Sequence, residues 1–267
     1  MQKHPCVLTI AGSDSGGGAG IQADLKTMTV LGGFGMSVIT ALTAQNGLGV
    51  TGIHAPEPEF VVQQLTTVLD GFPVAAAKTG MLFSAPIITG IADVLKDQSF
   101  PLVVDPVSVS TSGHALLQQD AVDALVERML PLAAVVTPNK PEAEMLAGMK
   151  IETEAHVQTA IERILALGPK AVLLKGGHFN EDEEELIDWL GFPGEKPCGL
   201  HHVRVDTKNT HGTGCTLSAA IATYLAHGAD LKSAVKKAQV YLSRCLRKSY
   251  TPGEGFGPPN HAAPYDG

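Results

Sequence analysis

Apolar runs of four to seven residues alternate with longer stretches of helical period along almost the whole chain, and that alternation narrows the fold more than any other feature. The runs predict strands near 7–11, 36–42, 75–79, 102–105, 134–137, 171–175, 186–190 and 203–205. The periodic stretches predict helices near 21–31, 58–70, 86–96, 118–129, 141–146, 154–167, 215–227 and 231–247. Strands that are apolar on both faces and separated by helices imply a mostly parallel sheet covered on both sides, a three-layer α/β/α arrangement. The 267 residues contain no stretch that reads as a linker, so a single domain over 1–267 is expected.

In sheets of this kind ligands bind beyond the carboxyl ends of the strands. Polar residues collect at those ends: Gly12-Ser13-Asp14, Ala44-Gln45-Asn46, Lys78-Thr79-Gly80-Met81, Asp105-Pro106, Thr137-Pro138-Asn139, Lys175-Gly176-Gly177-His178 and Thr207-Lys208-Asn209. The last of these opens a polar loop, Asp206 to Thr216, that runs through Gly212 and Gly214 into a helix. Glycines there let successive amides converge on one point, and the helix start adds its free amides and positive dipole end. Gly212, Thr213, Gly214 and Cys215 thus form a candidate anion hole. Cys215 lies in the first helical turn, where a thiol is expected to lose its proton readily. An anion hole beside a thiolate points to phosphoryl transfer onto a hydroxyl. The plainer alternative is a capped helix with a small buried cysteine; the length and polarity of the approach weigh against it.

Composition excludes other classes. The net charge of −8 argues against a nucleic-acid surface, so any anion must be bound locally. Residues Met1 to Cys6 lack the apolar core of a signal peptide, and no apolar stretch reaches membrane-spanning length. Cysteines 6, 198, 215 and 245 form no Cys-x-x-Cys pair, which suggests neither a zinc ribbon nor a disulfide framework and fits a cytoplasmic protein. The acidic patch Asn180 to Glu185 reads as a solvated turn.

The first glycine cluster imitates two nucleotide motifs. Gly18-Ala19-Gly20-Ile21-Gln22-Ala23 fits a loose dinucleotide pattern, and Gly12 to Gly17 has P-loop spacing. No acidic residue follows about 20 positions on to hold a ribose, and Gly18-Ala19 stands where a P-loop needs Lys-Ser or Lys-Thr. What remains is a glycine turn able to approach a small ligand, followed by Asp24.

The stretches Ala11 to Lys26, Ser37 to Asn46, Lys175 to His178 and Asn209 to Thr216 together resemble the hydroxymethylpyrimidine/phosphomethylpyrimidine kinases of thiamine biosynthesis, members of the ribokinase-like superfamily. The resemblance spans nearly the whole chain. It implies an enzyme that uses ATP and Mg²⁺ to phosphorylate a pyrimidine hydroxymethyl group and then its monophosphate. It further implies that Gln45 bonds the aminopyrimidine ring, that Gly12, Ala19, Met81 and Asp24 belong to the substrate site, and that Cys215 is the catalytic base. Lys175, Thr207, Lys208 and Asn139 become candidates for ATP, and Glu142 and Asp105 for the metal. Asn139-Lys140-Pro141-Glu142 also reads as a helix capping box, and the two roles are compatible. The partners implied are a small-molecule pyrimidine and a second copy in a homodimer, with no nucleic acid and no membrane.

The chain departs from the family pattern in two places. Ser108-Val109-Ser110-Thr111-Ser112-Gly113 lacks the usual loop lysine, and Glu254 stands where histidine is common. Three other readings stay open: a vitamin B6 kinase of the same superfamily, a nicotinamide-dependent oxidoreductase, and a silent pyrimidine-binding protein.

Overall fold

The computed structural model describes residues 4–107, 119–176 and 184–264. One nine-stranded sheet runs through the molecule. Its strands are β1 (Cys6–Asp14), β2 (Phe34–Asn46), β3 (Gly49–His54), β4 (Val74–Thr79), β5 (Leu102–Val104), β6 (Val135–Val136), β7 (Val172–Leu174), β8 (Glu185–Gly191) and β9 (Cys198–Val203). Their order across the sheet is β3-β2-β1-β4-β5-β6-β7-β8-β9. From β2 to β7 neighbours are parallel, while β3, β8 and β9 pair antiparallel at the edges.

The parallel strands read as continuous apolar runs because both faces are covered. Leu8, Ile10, Val104, Val136 and Leu174 face one layer, while their neighbours Val7, Val103, Val135 and Leu173 face the other. The first layer holds α2 (Pro58–Gly71), α3 (Ala85–Leu95), α4 (Gln119–Ala124), α5 (Lys140–Ala147) and α6 (Glu154–Leu165). The second holds α1 (Gly20–Val30), α7 (Thr213–Ala226) and α8 (Leu231–Arg247). Each wholly buried aliphatic side chain, such as Ile10 or Ile88, contributes about 1.5–3 kcal/mol by leaving water.

The expected helices all form. That expected over 118–129 ends its regular part at Ala124 and continues through a widened turn, Leu125–Met129, and a tight one, Leu130–Leu132, where Pro131 ends the amide ladder. Two strands differ from expectation. The strand placed at 203–205 is instead Cys198–Val203, and Gly49–His54 was not anticipated. Residues 108–113, Gly177 and His178, and most of the acidic patch lie outside the described residues.

The sheet order places the site. The chain adds β2 and β3 on one side of β1, then crosses to β4 and builds outward on the other, so the connections diverge between β1 and β4. Such a switch point leaves a crevice at the carboxyl ends. It is stitched by Gly80 N donating to Ile10 O (3.0 Å) and Gly12 N to Met81 O (3.1 Å).

The tail after α8 folds back onto α7. His261 Nε2 lies 3.0 Å from Thr216 Oγ1, whose own proton goes to Gly212 O at 2.8 Å, and Tyr241 donates to the His261 carbonyl (2.8 Å). Burial, helped by Lys26, pushes the His261 pKa down to about 4 from 6.5. The unfolded chain therefore binds this proton more readily, so stability is full above pH 6.5 and falls between pH 6.5 and 4. The difference of 2.5 units corresponds to about 3 kcal/mol. Urea unfolding of wild type and His261→Gln at pH 7.5 and 4.5 checks this: the variant is expected to lose about 2–3 kcal/mol less on acidification. Equal losses would count against the buried neutral imidazole.

Candidate active site

Two glycine-rich turns meet over the crevice. The first follows β1. Asp14, 2% exposed, turns its carboxylate inward to accept the amides of Gly16 (2.8 Å), Gly18 (3.0 Å) and Ala19 (2.8 Å). Burial works to raise the Asp14 pKa, but His211 and the amides of Ala19 and Gly16 outweigh it and hold the carboxyl below its ordinary value. Gly12 packs against the Met81 side chain, and the Cα of Gly16 lies against the Gln45 carbonyl and Asn46.

The second turn leads into α7. Gly212 caps the helix at φ +82, a left-handed conformation that disfavours a side chain. A Cβ there would also run into the Gly18 carbonyl. No side chain caps α7, so its first amides remain open as donors. Thr213 differs from expectation: its amide (3.2 Å) and hydroxyl (2.6 Å) both donate to Thr210 O and serve the turn. The amides of Gly214 and Cys215 are left to face an anion. A Cβ on Gly214 would lie 3.4 Å from both Lys175 Nζ and Asp105 Oδ2, which sets a cation and a carboxylate against the same helix start. Lys175 Nζ is 3.2 Å from Asp105 Oδ1. Burial works to lower the Lys175 pKa, and Asp105 and Glu142 more than offset it, so the ammonium stays charged. Asp105 also receives Thr137 Oγ1 (3.3 Å) and Ser218 Oγ (3.2 Å).

Beneath Cys215 lies an ion pair the sequence did not reveal. Lys78 from β4 holds both oxygens of Asp24 from α1 at 2.8 and 3.0 Å, and Thr9 donates to the same carboxylate at 2.6 Å. Lys78 and Asp24 are both 0% exposed. Asp24 was expected at the substrate; it has no exposed surface, and both its oxygens are engaged by Lys78 and Thr9. The thiol also departs from expectation. Burial pushes the Cys215 pKa up to about 11; Lys78 and the Gly20 amide pull against this, while Asp24 and Asp105 add to it. The favourable helix start is outweighed by desolvation and two carboxylates.

Gln45, at the end of β2, reaches the seam between the two turns. Its Oε1 is placed 3.1 Å from Thr43 Oγ1 and its Nε2 3.4 Å from His211 Nε2. His211 Nε2 in turn lies 2.9 Å from Asp14 Oδ2. Gly12, Ala19, Met81, Gln45, Gly212, Gly214, Cys215, Lys175 and Asp105 are therefore brought to one crevice. Asn139 and Glu142 form a full capping box at α5, with Glu142 N to Asn139 Oδ1 at 2.9 Å and Asn139 N to Glu142 Oε2 at 2.8 Å. Thr207 is engaged with Ser249 (2.9 Å) and the Asn209 amide (3.1 Å), and Lys208 is exposed. Asp14 and Lys78 stood among the polar strand ends and His211 in the anion loop, but none of the three was given a role from the sequence. His211 lies in the anion loop and Asp14 ends β1, so position alone gave a signal for both.

Among the described residues no three His, Cys, Asp or Glu side chains cluster to hold a metal, and no helix is long and apolar enough to cross a membrane. The chain is 48% identical over 265 residues to the hydroxymethylpyrimidine/phosphomethylpyrimidine kinase of Haemophilus influenzae, covering 98% of each. It is 51% identical over 256 residues to a bifunctional thiamine biosynthesis protein of Geobacter sulfurreducens, covering 96% of this chain and 52% of that protein, about half its length. Among solved structures it resembles the ADP complex of Bacillus subtilis pyridoxal kinase, with a TM-score of 0.89, 36% identity, and coverage of 98% of this chain and 99% of that one. Residues 14–260 match the phosphomethylpyrimidine kinase family, and with this extent of similarity the chain belongs to it.

Proposed function

We propose that the protein transfers the γ-phosphoryl group of ATP to the hydroxymethyl group of 4-amino-5-hydroxymethyl-2-methylpyrimidine, and then a second phosphoryl group to the resulting monophosphate, in thiamine biosynthesis. The observation that carries this reading is the open start of α7: amides of Gly214 and Cys215 with Lys175 on one flank, and Gln45 with the glycine turn on the other. The Gln45 carboxamide offers a donor and an acceptor to the edge of an aminopyrimidine. Gly12, Ala19 and Met81 wall the ring. The helix amides and Lys175 take up charge on the transferring group, and the Cys215 thiolate removes the hydroxyl proton.

Glu142 and Asp105 suit Mg²⁺ only when phosphate oxygens and water complete the shell, since the capping box and Lys175 already engage them. Bound there, the ion would neutralise phosphate charge. Asn139, Thr207 and Lys208 complete the proposed nucleotide side. The cytoplasm is the proposed compartment, in keeping with four unpaired cysteines. The family resemblance favours a homodimer, and Leu42, Leu48 and Ile53 of the β2–β3 hairpin are exposed.

Pyridoxal is the second reading, favoured by the structural likeness to a pyridoxal kinase. Incubation with ATP and each ring, read by mass spectrometry, separates the two. One and then two phosphates are expected on the pyrimidine, at a kcat/KM above that for pyridoxal or pyridoxine; the reverse ranking would replace the proposal.

The two transfers differ in their need for a base. The first acceptor is an alcohol, whereas the second is a phosphate monoester already ionised above a second pKa of about 6. Cys215→Ala is therefore expected to slow the first transfer by about 10²–10⁴ and leave the second within about threefold. An equal loss in both would remove Cys215 from the base role.

With the thiol at about 11, thiolate is scarce at neutral pH, and kcat/KM for the first transfer should rise about tenfold per pH unit from pH 7 to 9. Alkylation at Cys215, followed by mass spectrometry, should titrate in parallel, and Lys78→Met should move its midpoint upward. A flat pH profile, or an unmoved midpoint in Lys78→Met, would contradict the electrostatic account.

A further inference from the structure

We infer that His211 is a positioning residue that fixes the direction of the Gln45 carboxamide, so that the ring pocket presents one donor and one acceptor in a set order. The inference rests on the reading of Gln45 as the ring-binding side chain.

The Asp14 carboxylate is an acceptor only, and it gathers three amides together with His211 Nε2 at 2.9 Å. The three amides favour the ionised form, so Nε2 carries the hydrogen on that contact. That nitrogen has no lone pair left for the Gln45 side chain 3.4 Å away; a carbonyl there can share the edge of the same N–H, whereas an NH₂ would set donor against donor. At the other end, Thr43 Oγ1 lies 2.8 Å from the carbonyl of Ser13, which can only accept. The hydroxyl proton goes there, and a lone pair is left to face Gln45 at 3.1 Å. The nitrogen and oxygen of a carboxamide have nearly the same shape, so the network decides their order.

Both ends give the same answer, which reverses the placed order: NH₂ toward Thr43 and C=O toward His211. Asp14 thereby acts at two removes. It shapes the glycine turn with its backbone partners and sets the ring pocket's polarity through His211. The remaining N–H and the remaining carbonyl lone pair are what a bound ring can meet. Without the imidazole donor, the carboxamide could turn over and offer those groups in the wrong order. A wrongly ordered pair leaves a buried donor against a donor, enough to weaken ring binding about tenfold.

The test is a double-mutant cycle on binding of the hydroxymethylpyrimidine without nucleotide, read by calorimetry. His211→Leu is expected to raise Kd about tenfold and His211→Gln, which keeps an N–H for Asp14, to recover most of the loss. In a Gln45→Ala background His211→Leu should add less than about twofold. In the parent background its steady-state effect should fall on the pyrimidine KM, with kcat and the ATP KM within about threefold. An undiminished His211 effect without Gln45, or a loss confined to kcat, would overturn the inference. Because binding is read without ATP, failure of phosphoryl transfer alone would overturn the proposed activity while the cycle still decides this point. Absence of pyrimidine binding by wild type would overturn both.

Discussion

The site depends on one backbone-to-backbone contact, where the turn after β1 lies against the turn before α7. A Cβ on Gly212 would strike the Gly18 carbonyl, and one on Gly18 would approach His211 Cδ2 to 2.6 Å. Gly212 leaves room for the Gly18 carbonyl and Gly18 for the His211 ring, which brings the two turns together at this seam. The Asp14–His211 contact crosses the same seam, between residues 197 positions apart. A reacting hydroxyl and a transferring phosphoryl group must come within about 3–3.5 Å, and two loops with larger residues at the seam could not be held so close.

Charge in this crevice is arranged against the overall balance of the chain. With a net charge of −8, attraction for phosphate comes only from local features. In the proposed reading the α7 amides and Lys175 supply it; Lys175 is paired with Asp105, and the fully buried Lys78 with Asp24, and each aspartate keeps its ammonium charged. Without those partners burial would favour neutral amines. The same aspartates push the Cys215 thiol upward, so the device that preserves the cations also keeps the sulfur protonated at rest. A thiol in that state resists oxidation, and once it loses its proton it is a stronger base than an ordinary thiolate.

Legibility in the sequence followed burial. Central strands such as Leu102–Val104 and Val172–Leu174 were readable because both faces are apolar. The hairpin strand Gly49–His54 was not, since most of its residues are exposed and its place is set by pairing with β2. At the other edge, Leu200 is the one residue of Cys198–Val203 that is fully buried, so the nearby valines offered a misleading signal. Gln45, Lys175 and Asp105 stood out at strand ends, where a parallel sheet binds its ligands, and the family resemblance supplied the roles proposed for them. The thiol's direction was missed because the helix start is local in sequence, whereas Asp24, Asp105 and Lys78 reach Cys215 only through the fold. The Asn139–Glu142 pair was legible as a cap, since a capping box is a local pattern.

Two kinds of recognition in this crevice are built from different materials. In the proposed reading phosphate meets backbone amides at a helix start and Lys175, groups supplied by the architecture and indifferent to the ring at the other end. The ring in that reading meets few determinants: the Gln45 carboxamide, the Met81 side chain against Gly12, and the turn at Ala19. Likeness of fold to a pyridoxal kinase, even at a TM-score of 0.89, therefore bears on the phosphate half and leaves the choice of ring to those side chains. Shape alone separates similar six-membered rings weakly, whereas a mismatched buried donor or acceptor separates them strongly. On the inference drawn above, the order of the N–H and C=O at Gln45 is thus the feature of this pocket with the most power to choose among rings, and it is held by a Thr43 lone pair on the same strand and by the His211 N–H that the fold brings from the loop before α7.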